Sequence, residues 1–375
     1  MRFTVDRDAL AEAVGWVART LPSKPVLPVL SGILLHAGPQ QLTLSCFDYD
    51  VSALMTIEAD VAEPGAALVP GKLLAEIIRS LPGKPVEFGD DPDGVAITCG
   101  SAAFTLVSLS PDEYPALPEL PVLAGTVDGG EFAAAIGQVG PAASRDDTLP
   151  ILTGVNLEFA GELITLVATD RYRLAMRELA WDPVSGDPLS LLVPAKSMAD
   201  AVRMMSAGTP VRIMLGADAM TDAMVGFDAG ERRLTTRLIA GEFIKYRSRF
   251  PAEFGCRAEL PAAAFAEALR RVSLVAEPGS PVRLSFGSGK VAIEAGSKGH
   301  ARASEAVSAE FSGDEPDIAF SPQFLLDGVL AASAATVAGD EPARIQLDFT
   351  SATKPAVITG GEDFRYLVVP QRIYS

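Results

Sequence analysis

A pattern stated three times, at a spacing near one third of the 375 residues, constrains this chain more than any single motif. After the strand-like residues 3–5, a helix is predicted from Asp6, a suitable N-cap, with Leu10, Val14 and Val17 on one face before Pro22 stops it. The same apolar spacing, four and then three, returns at Phe132, Ile136 and Val139, and again at Phe265, Leu269 and Val272. A second marker joins an apolar residue, a proline and a helical stripe: Val69, Pro70, Lys72, Leu74 and Ile78. It recurs as Val193, Pro194, Lys196, Met198 and Val202, and more weakly as Phe320, Ser321, Pro322, Leu326 and Leu330. Proline suits a first helical turn because its missing N–H would have no partner there. Strand candidates at Leu42 and Leu44, Ile164 and Leu166, and Val291 and Ile293 keep the same step.

A period this long is a domain, not a solenoid repeat. Each third holds two helices and more strands than helices, so the expected unit is α+β, its helices packed together on one side of antiparallel sheet. Proline and glycine place the joints near residues 118–125 and 251–256, giving domains 1–121, 122–252 and 253–375.

Composition narrows the class. No apolar run approaches the roughly 18 residues a membrane helix needs, and the charged, amphipathic start is unlike a secretory signal, so a cytoplasmic protein is expected. Cys46, Cys99 and Cys256 are too far apart for a disulfide framework or a zinc site and read as small buried hydrophobes. The formal charge of −17 argues against nucleic acid as a partner unless the basic residues are gathered on one surface.

Catalytic signatures are missing. His36 and His300 have no metal-ligand neighbours, and no cofactor or metal is implied. Gly287, Ser288, Gly289 and Lys290 resemble the end of a phosphate loop, but Leu284 and Val291 break the pattern and a hairpin turn explains them better. Asp90, Asp91, Asp93 and Gly94 lack the rest of a calcium loop. Carboxylates are plentiful, yet none is singled out as an acid/base pair.

Two features carry binding. Basic residues recur on or beside the helices: Lys24, Lys72, Arg79 and Lys84, then Arg145, Lys196 and Arg203, then Arg270 and Arg271. The helix after Pro322 has none and carries Asp327. These residues form either a discontinuous basic lining or solvated helix faces. The stretch ATDRYRLA, residues 168–175, closes a strand pattern; strand alternation puts Arg171 and Arg173 on one face and Tyr172 and Leu174 on the other. It reads either as an edge strand with solvated arginines or as a shelf for a peptide with apolar anchors and acidic or carbonyl groups.

Over essentially its whole length the chain resembles the bacterial DNA sliding clamp, the β subunit of DNA polymerase III. The matches are MRFTVDRDAL at the start, KPVLPVLSGILL from Lys24, DTLPILTGV from Asp147, ATDRYRLA, the helix starts at Pro70 and Pro194, and VVPQRI near the end. The resemblance implies three clamp domains per chain and a head-to-tail homodimer forming a ring, with helices lining a channel around duplex DNA and sheets outside. It implies a non-catalytic processivity factor whose DNA-facing residues are Lys24, Lys72, Arg79, Arg145, Lys196, Arg203, Arg270 and Arg271. Phe104 and Leu274 are the implied dimer contacts. Its partners would be the replicative polymerase α subunit, the clamp loader, and repair polymerases and other proteins carrying the clamp-binding motif.

The implied partner groove, between the second and third domains, contains Leu152, Thr169, Arg171, Tyr172, Arg173, Leu174, Ile244, Arg247, Ser248, Arg249, Pro355, Ala356, Val369, Pro370, Gln371, Arg372 and Ile373. The family usually has proline where this chain has Ile244, Met or Leu at Val369, and an apolar residue at Gln371, which is expected to place a polar group in an apolar channel. Two readings follow, the housekeeping clamp or a divergent second copy that takes partners or groove-directed inhibitors less tightly. A DNA-independent interaction scaffold and an enzyme are the alternatives from other classes.

Overall fold

The structure, a computed structural model, describes residues 1–118, 122–205, 207–216, 224–287, 289–297, 301–313, 317–335 and 342–372. It forms two compact units: Met1–Gly130 with Asp182–Ser185 and Asp200–Leu238, and Glu131–Trp181 with Gly186–Ala199 and Ile239–Ser375. The α-helices are α1 (Arg7–Val17), α2 (Gly71–Ser80), α3 (Gly129–Val139), α4 (Ala195–Ala201), α5 (Ala262–Ser273) and α6 (Pro322–Ala335). None of the described helices is long and apolar enough to cross a membrane.

Local chemistry accounts for the helices. The Asp6 carboxylate accepts from the backbone N–H of Asp8 at 2.9 Å and of Ala9 at 3.0 Å, capping α1. The stripes Leu10/Val14/Val17, Phe132/Ile136/Val139 and Phe265/Leu269/Val272 are all buried. Leu74, Ile78 and Met198 are buried too, with Val202 half-buried. In α6 the expected stripe is one residue out: Leu325 and Val329 are buried, Leu326 is half-buried and Leu330 is exposed. Ser321 is an extra residue between the strand end at Phe320 and the proline, so counting from Phe320 gives the correct frame and counting from Pro322 does not. The three cysteines are buried thiols.

In the first unit a five-stranded sheet runs Asp60–Glu63, Arg2–Val5, Val86–Asp91, Gly94–Cys99, Ala102–Leu106. A nine-stranded sheet runs Asp182–Pro183, Val122–Asp128, Pro210–Leu215, Met224–Asp228, Arg232–Arg237, then Val51–Glu58, Gln41–Phe47, Gly32–Gly38, Gly65–Pro70. Gly125, expected at a joint, lies inside the bulged strand Val122–Asp128. In the second unit the nine-stranded sheet runs Glu310–Gly313, Cys256–Pro261, Arg344–Phe349, Ala356–Thr359, Phe364–Val368, then Arg173–Ala180, Leu163–Thr169, Gly154–Ala160, Leu189–Pro194. Its four-stranded sheet runs Arg302–Ser308, Lys290–Gly296, Val282–Gly287, Asp317–Phe320.

These orders reduce to one rule. Each repeat supplies a five-strand set and a four-strand set, and the five of one repeat join the four of the repeat before it to make nine. The joins are antiparallel, with Leu234 opposite Ala53 in one and Tyr366 opposite Ala175 in the other. The middle repeat is thereby shared between the two units. Among the described residues, two sets have the edge used in these joins still open: the first repeat's five strands, ending at Ala102–Leu106, and the third repeat's four, ending at Arg302–Ser308.

In the second unit α6 lies close against the sheet because residue 328 is glycine. A Cβ there would stand 2.5 Å from the Tyr366 ring, whose hydroxyl donates to the Phe324 carbonyl at 2.9 Å. Alanine would gain about 1 kcal/mol in helix propensity but overpack by about 1–3 kcal/mol. Gly328→Ala is therefore expected to lower the calorimetric Tm; a higher Tm would mean that the Tyr366 ring moves aside freely.

Candidate functional site

The groove lies wholly within the second unit. Three backbone features build its walls: the end of strand Leu163–Thr169 with the turn after it, the 3-10 turn Arg247–Arg249, and the chain following strand Phe364–Val368. That turn overturns the strand alternation expected for residues 171–174. The strand stops at Thr169 and a new one starts at Arg173. Between them the Asp170 carboxylate accepts from the backbone N–H of Tyr172 and Arg173, each at 3.0 Å. Thr169 Oγ1 donates to the Arg173 carbonyl at 2.6 Å, and Arg171 takes φ +82°. A side chain at positive φ costs about 1 kcal/mol relative to glycine.

The turn sends its side chains to different places. Arg173 is 8% exposed. Its guanidinium donates to Asp170 at 2.9 Å and to Asp327 on α6 at 2.5 Å, and lies 4.4 Å from the centre of the Phe324 ring. Burial works against this charge, yet Tyr366, Asp327 and Asp170 together hold its pKa above the ordinary arginine value. Tyr172 is 55% exposed and faces Phe324, ring centres 6.4 Å apart. Leu174 is buried with Val167, Met176, Tyr246 and Leu367. The solvated arginines of the sequence reading are thus half right: Arg171 lies open and Arg173 does not.

Opposite, Tyr246 donates to Glu158 at 2.7 Å and Arg247 pairs with the same carboxylate at 3.1 Å. Burial and the Glu158 charge push the Tyr246 pKa above its normal value. With Arg247 held outward, Ser248 and Arg249 turn toward the groove. The chain after Phe364–Val368 is tied down where Val369 N–H donates to the Tyr172 carbonyl at 2.8 Å.

A cavity of about 520 Å³ results, lined by Leu152, Thr169, Arg171, Arg173, Leu174, Ile244, Ser248, Arg249, Pro355, Leu367 and Val369. That volume suits a few side chains of a bound segment. Ten of these eleven residues come from the sequence reading. Leu367 was missed, although the two-residue period of a strand places it on the same face as Val369. Six predicted members lie elsewhere. Tyr172 packs on Phe324, Arg247 faces Glu158, and Ala356 is fully buried. Pro370 does not line the cavity, Gln371 donates its N–H to the Ala319 carbonyl, and Arg372 borders a different cavity. Gln371 borders another cavity and is not among the residues that line this one. Ile373 lies outside the described residues.

The eight basic candidates are all exposed. Among the described residues Lys24, Lys72, Arg79, Arg145, Lys196 and Arg203 form no ion pair, whereas Arg270 is engaged by Glu267 at 2.5 Å and Arg271 by Glu305 at 2.6 Å. The repeat register explains why α6 carries no cation: Lys72 and Lys196 correspond to Gln323, and Arg79 and Arg203 to Leu330. Phe104 sits on the open edge Ala102–Leu106 and is 37% exposed; Leu274, at the end of α5, is 83% exposed.

A two-helix repeat of five plus four antiparallel strands, present three times and carrying an apolar groove, defines a clamp-type protein. Family models of the DNA polymerase III β subunit match its N-terminal domain at residues 1–118, its central domain at 126–245 and its C-terminal domain at 247–372. The chain is 47% identical to a β sliding clamp of Streptomyces coelicolor and 43% identical to the β sliding clamp homolog GriR of Streptomyces muensis, each alignment covering 100% of both chains. A sliding clamp structure from Bacillus subtilis superposes with a TM-score of 0.89 at 28% identity, also over 100% of both chains. The chain belongs to the DNA polymerase III β subunit family, the bacterial sliding clamps, whose part in replication is processivity and not catalysis.

Proposed function

We propose that two copies of this chain close head to tail into a ring around duplex DNA. The observation that carries this reading is the strand count. Two five-plus-four joins are made within the chain, and one five-strand edge and one four-strand edge are left over. Two copies pair these leftovers reciprocally, and a closed ring covers both of these edges, each of which would otherwise template aggregation. Phe104 occupies the repeat position of Leu234 and Tyr366, which are 0% and 1% exposed in the joins already made. Leu274 adds an apolar contact beside the joint.

Inside the ring, Lys24, Lys72, Arg79, Arg145, Lys196 and Arg203 face phosphates, with Arg270 and Arg271 weaker contributors because their charges are already paired. Phosphate contacts carry little sequence information and weaken as salt rises, which permits sliding. The remaining acidity of a chain at −17 disfavours side-on binding, so topology does the holding. The groove tethers the replicative polymerase α subunit, the clamp loader and repair polymerases by short apolar segments, raising their effective concentration at the primer end. Domains 1–121, 122–252 and 253–375 each correspond to one repeat, and the protein works in the cytoplasm.

Loading onto nicked circular DNA tests the ring. The protein is expected to stay bound through a salt wash and to leave when the circle is cut. Loss from both forms would favour a DNA-independent scaffold. A divergent copy with an altered groove is the second reading, drawing on Ile244 in the groove wall and on the 43% identity to GriR. Weak competition by the polymerase peptide of its own organism would favour it over the housekeeping clamp.

A further inference from the structure

The groove contains three arginines, and they are not equivalent. Arg173 is neutralised by Asp170 and Asp327 and held down by Phe324. Arg171 and Arg249 line the same cavity and make no ion pair among the described residues. Arg171 also sits at φ +82°, a conformation that glycine adopts without cost. The Arg171 charge helps to lower the pKa of the exposed Asp146 carboxylate without a close ion pair to it; local strain at a binding surface, in a side chain that makes no such close pair, is the pattern of a residue kept for its ligand.

Resting on the groove reading above, we propose that Arg171, with Arg249 across the cavity, sets the charge specificity of the groove: the preferred occupant is a segment with apolar anchors and a carboxylate flanking them. The apolar floor of Leu174, Leu367 and Val369 takes the anchors. The two guanidinium groups then bind the carboxylate by charge-assisted hydrogen bonds, which are stronger than neutral ones. A local excess of positive charge matters here, because the net charge of −17 disfavours acidic segments over much of the remaining surface. Arg173 contributes shape and no net charge, so the selectivity passes through the arginine without a close ion pair.

Fluorescence anisotropy tests this with capped octapeptides that carry a leucine and phenylalanine anchor pair and either Asp or Asn at each flanking position in turn. For at least one position the wild-type protein is expected to prefer Asp by about fivefold to tenfold at low salt. That preference should shrink in 0.5 M salt, to which exposed charges are sensitive at about a 4 Å screening length. Arg171→Gly should bring it to within about twofold while leaving the Tm equal or higher, since it relieves the strained φ; Arg249→Ala should reduce it in part. Wild-type binding with no Asp preference at any position, or a preference that survives Arg171→Gly, overturns the proposal and leaves the groove standing. Failure of every peptide, Asp and Asn alike, overturns the groove reading together with it.

Discussion

Arg173→Ala is expected to destabilise the second unit by about 3–5 kcal/mol, because removing one partner of a buried pair leaves the other charge without compensation. Two carboxylates are stranded: Asp170, whose side chain is 13% exposed, and Asp327, 19% exposed. The Asp170 turn loses its cross-brace, and the contact between Phe324 on α6 and the start of strand Arg173–Ala180 is lost with the guanidinium. For a unit of this size the change corresponds to a fall in Tm of about 10 °C. Arg173→Lys keeps the charge but loses the fork that reaches both carboxylates, so it should fall in between. Asp327→Asn leaves the Asp170 pair intact and should cost less than Arg173→Ala, and the double variant should be less destabilised than the sum of the two singles. An unchanged Tm in Arg173→Ala would make the network an ornament of the fold, and Arg173 a groove residue only.

How far the sequence foretells such a network depends on distance along the chain. The helix stripes were legible because their cause is local: residues three and four apart share a face whatever the tertiary context. Even there one inserted residue, Ser321, moved the α6 frame by one. ATDRYRLA misled for a related reason. Arg-Tyr-Arg-Leu alternates as a strand would, and nothing in an arginine advertises a left-handed φ, so the Asp170 turn stayed hidden. The Arg173 to Asp327 pair spans 154 positions, and no local period reports it. The repeat supplies the signal that was available: Asp327 stands where the other two thirds have Glu76 and Asp200, which marks the position as acidic by design of the unit. Sheet joins were illegible from either third alone. They follow only from seeing which strand sets lack a partner.

Phe104→Asp is expected to convert a dimer at micromolar concentration into a monomer. The substitution spares the fold, since Phe104 is an edge residue already 37% exposed. At the joint it buries a carboxylate without a partner, which costs several kcal/mol. The in-chain registers, Leu234 opposite Ala53 and Tyr366 opposite Ala175, put residue 104 opposite Ala303 of the second copy and Ala102 opposite Glu305, whose carboxylate is already paired with Arg271, so the new charge finds no cation across the joint. A ring has two such joints, and a combined loss of about 4 kcal/mol or more raises the dissociation constant by at least about a thousandfold. Sedimentation velocity reads the result, with circular dichroism unchanged. The register has its own test, since Cys46, Cys99 and Cys256 are buried and will not compete. Phe104→Cys combined with Ala303→Cys should form an interchain disulfide under mild oxidation, because directly opposed Cβ atoms stand about 5 Å apart. Phe104→Cys with Ser304→Cys should not, because adjacent strand residues face opposite sides. A dimer that persists in Phe104→Asp, or cross-links through residue 304 instead, would place the joint elsewhere and remove the strand count as the reason the ring closes.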